Sequence, residues 1–467
     1  MTAPRFNSVH RCCFVLSLLL MAVSWAGAQD FTITKLPSLS QPVAINASGQ
    51  VAGLTTQTGH DSSFFWTRAG GLQILPDLGG GATSAHAMND SGAIVGESGL
   101  TSFSIHAFLW TQTGGIQDLG SPLGGNSSAT AINAAGQVVG ITYPLDQSSP
   151  HAFFWSAATG SVDLGVTGGN TQSSPFGIND SGEVVGYQYG SGGFSAFRWT
   201  LAGGMQTIDD FFMPVGFDFV NILNNSGQIG GVSSLDHAAL WSGGTVQDLG
   251  TLAPDTSSAS QLINGNGHIV GTSRPEHCCG HERTFFWTSA GMVDIGTLPN
   301  HASSRSVPAG FNNHDQIVGR NGATYFWSPT VGLRQVPGII LKFAPFLSNA
   351  LNDAGQILGY GAGFKNAVLA SPTMHVTVSS SPNPSQAGQA VTLTATVSSI
   401  VGAPPDGEQV TFEDGIKVLG TGTLSNGIAT LTISTLKVKT HSITAVYAGD
   451  DNYLSKKSDK YSQLVTP

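Results

Sequence analysis

Hydrophobic positions in this chain come in short runs, and the runs recur in a fixed order. In the stretch from Ile178 to Gly186, an apolar residue is followed by Asn, two small or polar residues, Gly, one variable residue, and a β-branched pair ending in Gly. That pattern predicts a tight hairpin between two short strands. Asn accepts hydrogen bonds from backbone N–H groups two residues on, closing an Asx-turn. Gly three positions later can take φ > 0, which the loop needs. The motif occurs eight times, with Asn46, Asn89, Asn133, Asn179, Asn224, Asn264, Asn312 and Asn352 at its head. From each Asn to the last Gly of its motif the distance is always seven residues, whereas successive Asn residues lie 40 to 48 apart. A rigid hairpin with variable loops elsewhere gives that result. In the seventh copy Asp315 stands at the turn Gly position, where the left-handed region suits it less well.

Two further strand-like pieces complete each repeat. One is HAFLW at His106 to Trp110, with HAFFW at His151 to Trp155, HAALW at His237 to Trp241 and looser copies elsewhere. Its last position holds Trp66, Trp110, Trp155, Trp199, Trp241, Trp287 and Trp327, and the eighth copy, ending at Ala370, has lost Trp. The other piece is DLG, beginning at Asp77, Asp118, Asp163 and Asp248, with DIG at Asp294. Four short antiparallel strands in about 44 residues predict one propeller blade per repeat. The fold class expected is therefore all-β. A β-propeller of eight four-stranded blades over 29–372 is followed by a second β domain over 373–467; seven blades or an open solenoid are the alternatives. With the A-I-N strand innermost, the last blade lacks an outer strand, and Phe31 to Leu36 is left over to supply it and cover the edge. Periodic Trp residues are expected between blades as core.

After Pro372 the pattern changes to period-two alternation, clearest in Val391, Leu393, Ala395 and Val397, with a hairpin turn at Asp414-Gly415. Seven or so short strands here predict a sandwich joined to the ring by a short, Pro-stiffened link. Tyr447 is the candidate core or corner tyrosine, and Lys456-Lys457 reads as solvated surface charge.

The three-part pattern of INxxGQVVG, HAFxW and DLGxLGG resembles the bacterial extracellular HAF repeat family over about Phe31 to Ala370. That resemblance implies secretion and a repeated β fold, but no activity. The stretch from Met374 to Pro467 is similar to bacterial Ig-like repeat domains, which implies a spacer or binding module on a cell surface.

The N-terminus adds a destination. Arg5 and Arg11 precede the apolar run Cys13 to Val23, and Ala26-Gly27-Ala28 offers a cleavage site, so residues 1–28 read as a secretory signal peptide. No later stretch is apolar for long enough to cross a membrane. Without the leader the chain has a formal charge of −12, from 16 basic and 28 acidic residues. That disfavours nucleic acid and anionic membranes as partners. The 61 glycines indicate turns and short strands rather than helices. Only Cys278 and Cys279 remain after cleavage, so stability has to come from burial and hydrogen bonding instead of a disulfide framework.

Candidate chemistry sits in three places. EHCCGHE supplies His277, Cys278, Cys279 and His281, donors of the type that bind zinc or copper, although adjacent cysteines reach one tetrahedral ion poorly and a vicinal disulfide or an inert loop is the simpler reading. After Trp199 the DLG is replaced by TIDDFFMPVGFDF, which places Asp209, Asp210 and Asp218 among four Phe; paired carboxylates beside aromatics suit glycoside chemistry. The DLG aspartates could contribute to calcium sites, but capping the following Gly turn explains them. The function expected is a secreted or cell-surface, non-enzymatic binding or scaffold protein. It would act through one propeller face on an extracellular glycan or surface protein, with no cofactor. The alternative is a polysaccharide-active enzyme using Asp209, Asp210 and Asp218.

Overall fold

The computed structural model describes residues 30–37, 40–57, 59–101, 104–191, 193–212, 222–275, 282–299, 301, 305–341, 350–364 and 366–467. Seven four-stranded antiparallel sheets follow one another along the chain, each pairing its strands in sequence order. In the third, for example, Gly124–Ile132, Val138–Pro144, His151–Ser156 and Gly160–Asp163 are neighbours. The eighth sheet is built from both ends of the ring. Ile357–Tyr360 pairs with Ala367–Pro372, which pairs with the N-terminal strand Phe31–Lys35 in the register Phe31 to Pro372 through Lys35 to Val368. An isolated bridge from Leu351 to Ile357 stands for its innermost strand. Ile45, Leu223, Ile263, Phe311 and Leu351, each one residue before a motif Asn, line one cavity. The A-I-N strands are therefore innermost, as their order in the repeat requires. The fold is an eight-bladed β-propeller.

The two glycines of the motif serve different ends. The turn glycines sit at φ between 72° and 79°, and Asp315 takes 58° in their place. The last Gly of the motif is extended and needs its missing side chain. A Cβ on Gly140 would lie 2.1 Å from the Ser128 carbonyl and 2.6 Å from the ring of Phe153, and Gly186 and Gly271 meet the same two obstacles. The ring that crosses this Gly is the Phe of HAFxW on the next strand. Gly140→Ala should therefore destabilise the propeller by about 1–3 kcal/mol or more through overpacking, measured by denaturant unfolding. Gly136→Ala, with open space around its Cβ, should lose only what the positive φ costs.

Blades pack by a repeating rule. The residue before each Trp meets the Trp of the next blade: Phe65 and Trp110 at 5.5 Å, Phe154 and Trp199 at 5.1 Å, Phe286 and Trp327 at 5.2 Å between ring centroids. In blade four that residue is Arg198, whose guanidinium lies 5.9 Å from the Trp241 ring and which also pairs with the buried Glu183. Glu183 occupies the position that is Gln in most repeats, so this blade holds a charge pair where the others have a neutral amide. Blade eight has Ala370 where a Trp is expected. Phe31 from the N-terminal strand takes over, 5.6 Å from Phe326 of blade seven. One core cluster then joins blades seven, eight and one through Phe326, Leu369, Phe31 and Trp66, which closes the ring.

From His375 onward a sandwich follows. Its three-stranded sheet holds His375–Ser381, Val391–Ser398 and Ile428–Ile433; the second sheet holds six strands, among them Gln409–Asp414, Lys439–Tyr447 and Tyr461–Thr466. Val391, Leu393, Ala395 and Val397 are buried while Thr396 and Ser398 are exposed, as the alternation requires. Tyr447 is buried and donates its hydroxyl to Glu408. Lys457 pairs with Glu413.

A short link is not all that joins the two units. Pro372 lies inside the blade-eight strand. The sandwich loops at Ser399–Gly402 and Asp450–Tyr453 rest on the Asn-turn side of blades seven, eight and one. There Asn452 Nδ2 donates to the Ala47 carbonyl at 3.0 Å, Gln356 Nε2 to the Asp451 carbonyl at 3.1 Å, and Gln316 Nε2 to the Val401 carbonyl at 3.3 Å. Ile400 and Val401 pack against the core that closes the ring, and Ala354 of the last turn joins the sandwich core.

Candidate functional site

The Asn-turn side of the ring is built around the eight motif asparagines, all buried. Each Oδ1 accepts backbone N–H groups of its own turn; in the first repeat these come from Ser48 and Gln50 at 3.1 and 3.0 Å. That is the Asx-turn expected from the sequence. The amide nitrogen does something the sequence did not disclose. Every Nδ2 donates to the backbone carbonyl of the next repeat's Asn at 2.9–3.3 Å, from Asn46 to Asn89 and onward through Asn312 to Asn352. Asn352 donates to the Asn46 carbonyl at 3.0 Å and completes the cycle. In five repeats the Gln four positions on offers Oε1 to the same Nδ2. The asparagines thus hold the axis of the ring together.

In five repeats the residue after the Asn is Asp or Asn and extends this arrangement outward. Asp90, Asp180, Asn313 and Asp353 accept the backbone N–H of the preceding repeat at 2.8–2.9 Å, and Asn225 and Asp180 bond each other at 2.7 Å. A cavity of about 260 Å³ opens here, framed by Asn224, Asn264, Asn312 and Asn352. Its polar groups are committed to bonds between blades, and the sandwich loops occupy part of the same side. This face is built for cohesion.

On the opposite side, the DLG aspartates cap the glycine turns. Asp118, Asp163, Asp248 and Asp294 accept the N–H two residues on at 2.7–2.9 Å, and Asp77 accepts from both Gly79 and Gly81. The Gly81 N–H, followed by that of Gly79, holds the Asp77 carboxyl below the usual carboxylate range. A depressed carboxylate stabilises the fold at neutral pH and loses that contribution as pH falls through its own titration. The His of HAFxW is the partner of this Asp in its own blade: His106 with Asp118, His151 with Asp163, and His237 with Asp248, all at 2.9–3.0 Å. In blade six Arg283 replaces His and bridges Asp294 and Asp255. The two residues stand 11 or 12 positions apart in the chain, so no local motif joins them. A signal was present, because His or Arg stands at this position only in repeats that carry the Asp.

Of the carboxylates singled out for glycoside chemistry, Asp209 and Asp210 form an exposed turn between the outer strand of blade four, Gly204–Ile208, and the short strand Phe211–Phe212 of blade five. Asp210 takes φ 55° in this turn. Asp218 lies outside the described residues. So do His277, Cys278, Cys279 and His281, and the leader through residue 28. Among the described residues no group of three or more His, Cys, Asp or Glu side chains is placed to hold a metal ion. No helix among them is long and apolar enough to cross a membrane.

Residues 377–466 match the family described as Bacterial Ig-like domain (group 3). No curated protein matches the chain in sequence. Among solved structures, the chain is similar to oligogalacturonate lyase from Vibrio parahaemolyticus, at 10% identity over 72% of this chain and 93% of that one, with a TM-score of 0.42. It is also similar to the β-propeller domain of the Trilobed protease from Pyrococcus furiosus, at 10% identity over 64% and 97%, with a TM-score of 0.40. The fibronectin(III)-like modules of Clostridium thermocellum CbhA share 26% identity with 19% of this chain, covering 93% of theirs, with a TM-score of 0.16. The chain is an all-β protein in which a β-propeller of repeated sheets carries a C-terminal bacterial Ig-like domain.

Proposed function

We propose that this is an exported, non-catalytic binding scaffold that presents the propeller face opposite the Ig-like domain to an extracellular glycan or surface protein. The observation that supports it is the division of labour between the two faces. On the Asn-turn side the polar groups are spent on bonds between blades, and the Ig-like loops already rest there. The opposite side carries the loops whose length varies from repeat to repeat, held at their bases by the Asp-capped glycine turns and the His–Asp pairs. Variable loops on a rigid scaffold are where recognition is usually built. The leader sequence supports export, and a bacterial Ig-like domain is compatible with an extracellular or periplasmic place.

The test is binding of the exported protein to a glycan array and to isolated cell surfaces, with and without chelator, in parallel with a reducing-sugar release assay. Sequencing of the exported chain should begin at Gln29. Binding that survives chelation, without release of reducing ends, is the expected result. Release of reducing ends that disappears in an Asp209→Asn, Asp210→Asn variant would establish the polysaccharide-active reading instead.

A further inference from the structure

Blade four departs from its neighbours on the free face. Four aromatic rings form a continuous ladder there: Phe176 and Tyr187 at 5.4 Å, Tyr187 and Phe194 at 5.5 Å, and Phe194 and Tyr189 at 4.7 Å between centroids. The lower end is anchored, since Phe176 packs on the core between blades four and five. The upper end is not covered: Tyr189 is 41% exposed and Phe194 48%. Tyr189 lies opposite Phe194 on one side and Gln172 on the other in the strand register, so an amide and two rings form one row on one side of the sheet.

The repeats supply an internal control. Five residues before the Trp, where blade four has Phe194, the first, second, third, fifth and sixth repeats have Asp61, Ile105, Pro150, Asp236 and Glu282. At the Tyr189 position they have Thr56, Gly99, Tyr143, Ser234 and Arg274. The fold therefore builds this hairpin without an aromatic pair. Large apolar rings left in water where the fold does not need them indicate recognition. The surroundings restrict what is recognised. Asn170, Gln172 and Ser195 bring amides and a hydroxyl, and the exposed carboxylates of Asp209 and Asp210 end the same blade. The stretches 170–195 and 201–212 hold no Lys or Arg. Rings flanked by hydrogen-bonding groups, with negative charge nearby and no cation in these stretches, suit the C–H faces and hydroxyls of an uncharged sugar and disfavour phosphate- or uronate-bearing ligands.

We propose that the Phe194–Tyr189 end of the blade-four ladder is a stacking subsite for a neutral polysaccharide chain. The proposal rests on the reading of this side of the ring as the binding face. It is tested by affinity gel electrophoresis and pull-down on cellulose, chitin, xylan and mixed-linkage glucan, with the full exported chain and its Tyr189→Ala, Phe194→Ala variant. Ile105→Ala, an exposed apolar side chain of blade two, is the control. The expected result is that the wild type and Ile105→Ala bind at least one of these polymers. The double variant should bind about tenfold more weakly or worse, as loss of a stacking anchor implies, with an unchanged melting temperature. If the wild type binds and the double variant binds equally well, the subsite is wrong while the binding face stands. Failure of the wild type to bind any of the four polymers also overturns the subsite, and the cell-surface assay then decides separately whether the face binds a protein. Sedimentation velocity covers the remaining occupant: a self-association lost in the double variant would show that a second copy of the chain covers the ladder.

Discussion

A chain beginning at Pro37 should lose cooperative thermal unfolding or aggregate on purification. It lacks the strand Phe31–Lys35 and the residue Leu36, which together form the outer edge of blade eight. Phe31 is 1% exposed and Leu36 3%, and both belong to the cluster that closes the ring. Removing a buried Phe side chain alone costs about 3–5 kcal/mol, against a total stability of about 5–15 kcal/mol for a typical domain. The truncation also strips the hydrogen-bond partners from the strand Ala367–Pro372 and leaves an open edge for intermolecular pairing. Ending the chain at Thr373 should be far milder. All eight blades remain, and the losses are the loop hydrogen bonds from Val401, Asp451 and Asn452 together with the packing of Ile400 and Val401 on the closing core and of Ala354 in the sandwich. That chain should stay soluble and melt in one transition at a somewhat lower temperature. Calorimetry of the two truncations compares them directly, and equal stability would remove the N-terminal strand from the account of ring closure.

Replacing Asn133 by Asp should destabilise the propeller by about 2–4 kcal/mol, although Asp forms an Asx-turn as readily as Asn. The substitution keeps the acceptor that takes the Gln137 N–H at 2.9 Å. What it removes is the donor to the Asn179 carbonyl at 2.9 Å and to Gln137 Oε1 at 2.7 Å. In their place a carboxylate faces two oxygen acceptors in a site 4% exposed, and an unpaired buried charge is costly. Asn133→Ala should cost a similar amount by leaving the Gln137 N–H and the Asn179 carbonyl without their side-chain partner. Denaturant unfolding of both variants separates the two roles of the side chain. An Asp variant as stable as the wild type would mean that the turn matters and the cycle does not.

The repeat units were legible because each is a local pattern. Asn, Gly and the β-branched pair fix a hairpin through hydrogen bonds and torsion angles within seven residues, and the HAFxW and DLG pieces add two more strands with short connections. The N-terminal closing strand could be inferred as well, since counting strands left one blade short and one segment over. The alternation in Val391–Ser398 likewise placed the sandwich, because period two is a property of the strand itself. The candidate chemistry was less legible. Asp209, Asp210 and Asp218 stood out by composition as the alternative, glycoside-active reading, and composition states nothing of how they are arranged: Asp209 and Asp210 lie in one exposed turn, with Asp210 at φ 55°.

What only the tertiary structure decided are the relations between repeats. The same Asn amide bonds a carbonyl 40 or more residues away, and no local pattern states that pairing. The link between His151 and Asp163 follows from register across adjacent strands, which places a residue at the start of one strand opposite the end of the next. The docking of the Ig-like domain could not be read from Pro372, because it depends on Val401, Asp451 and Asn452 meeting the turns of blades seven, eight and one. The aromatic ladder was hidden for the same reason: Phe176, Tyr187, Tyr189 and Phe194 lie on three strands, and only antiparallel pairing stacks their rings on one side of one sheet. Sequence fixes torsions and periodicity within an element; contacts between elements depend on register and crossing geometry, which only the folded chain contains.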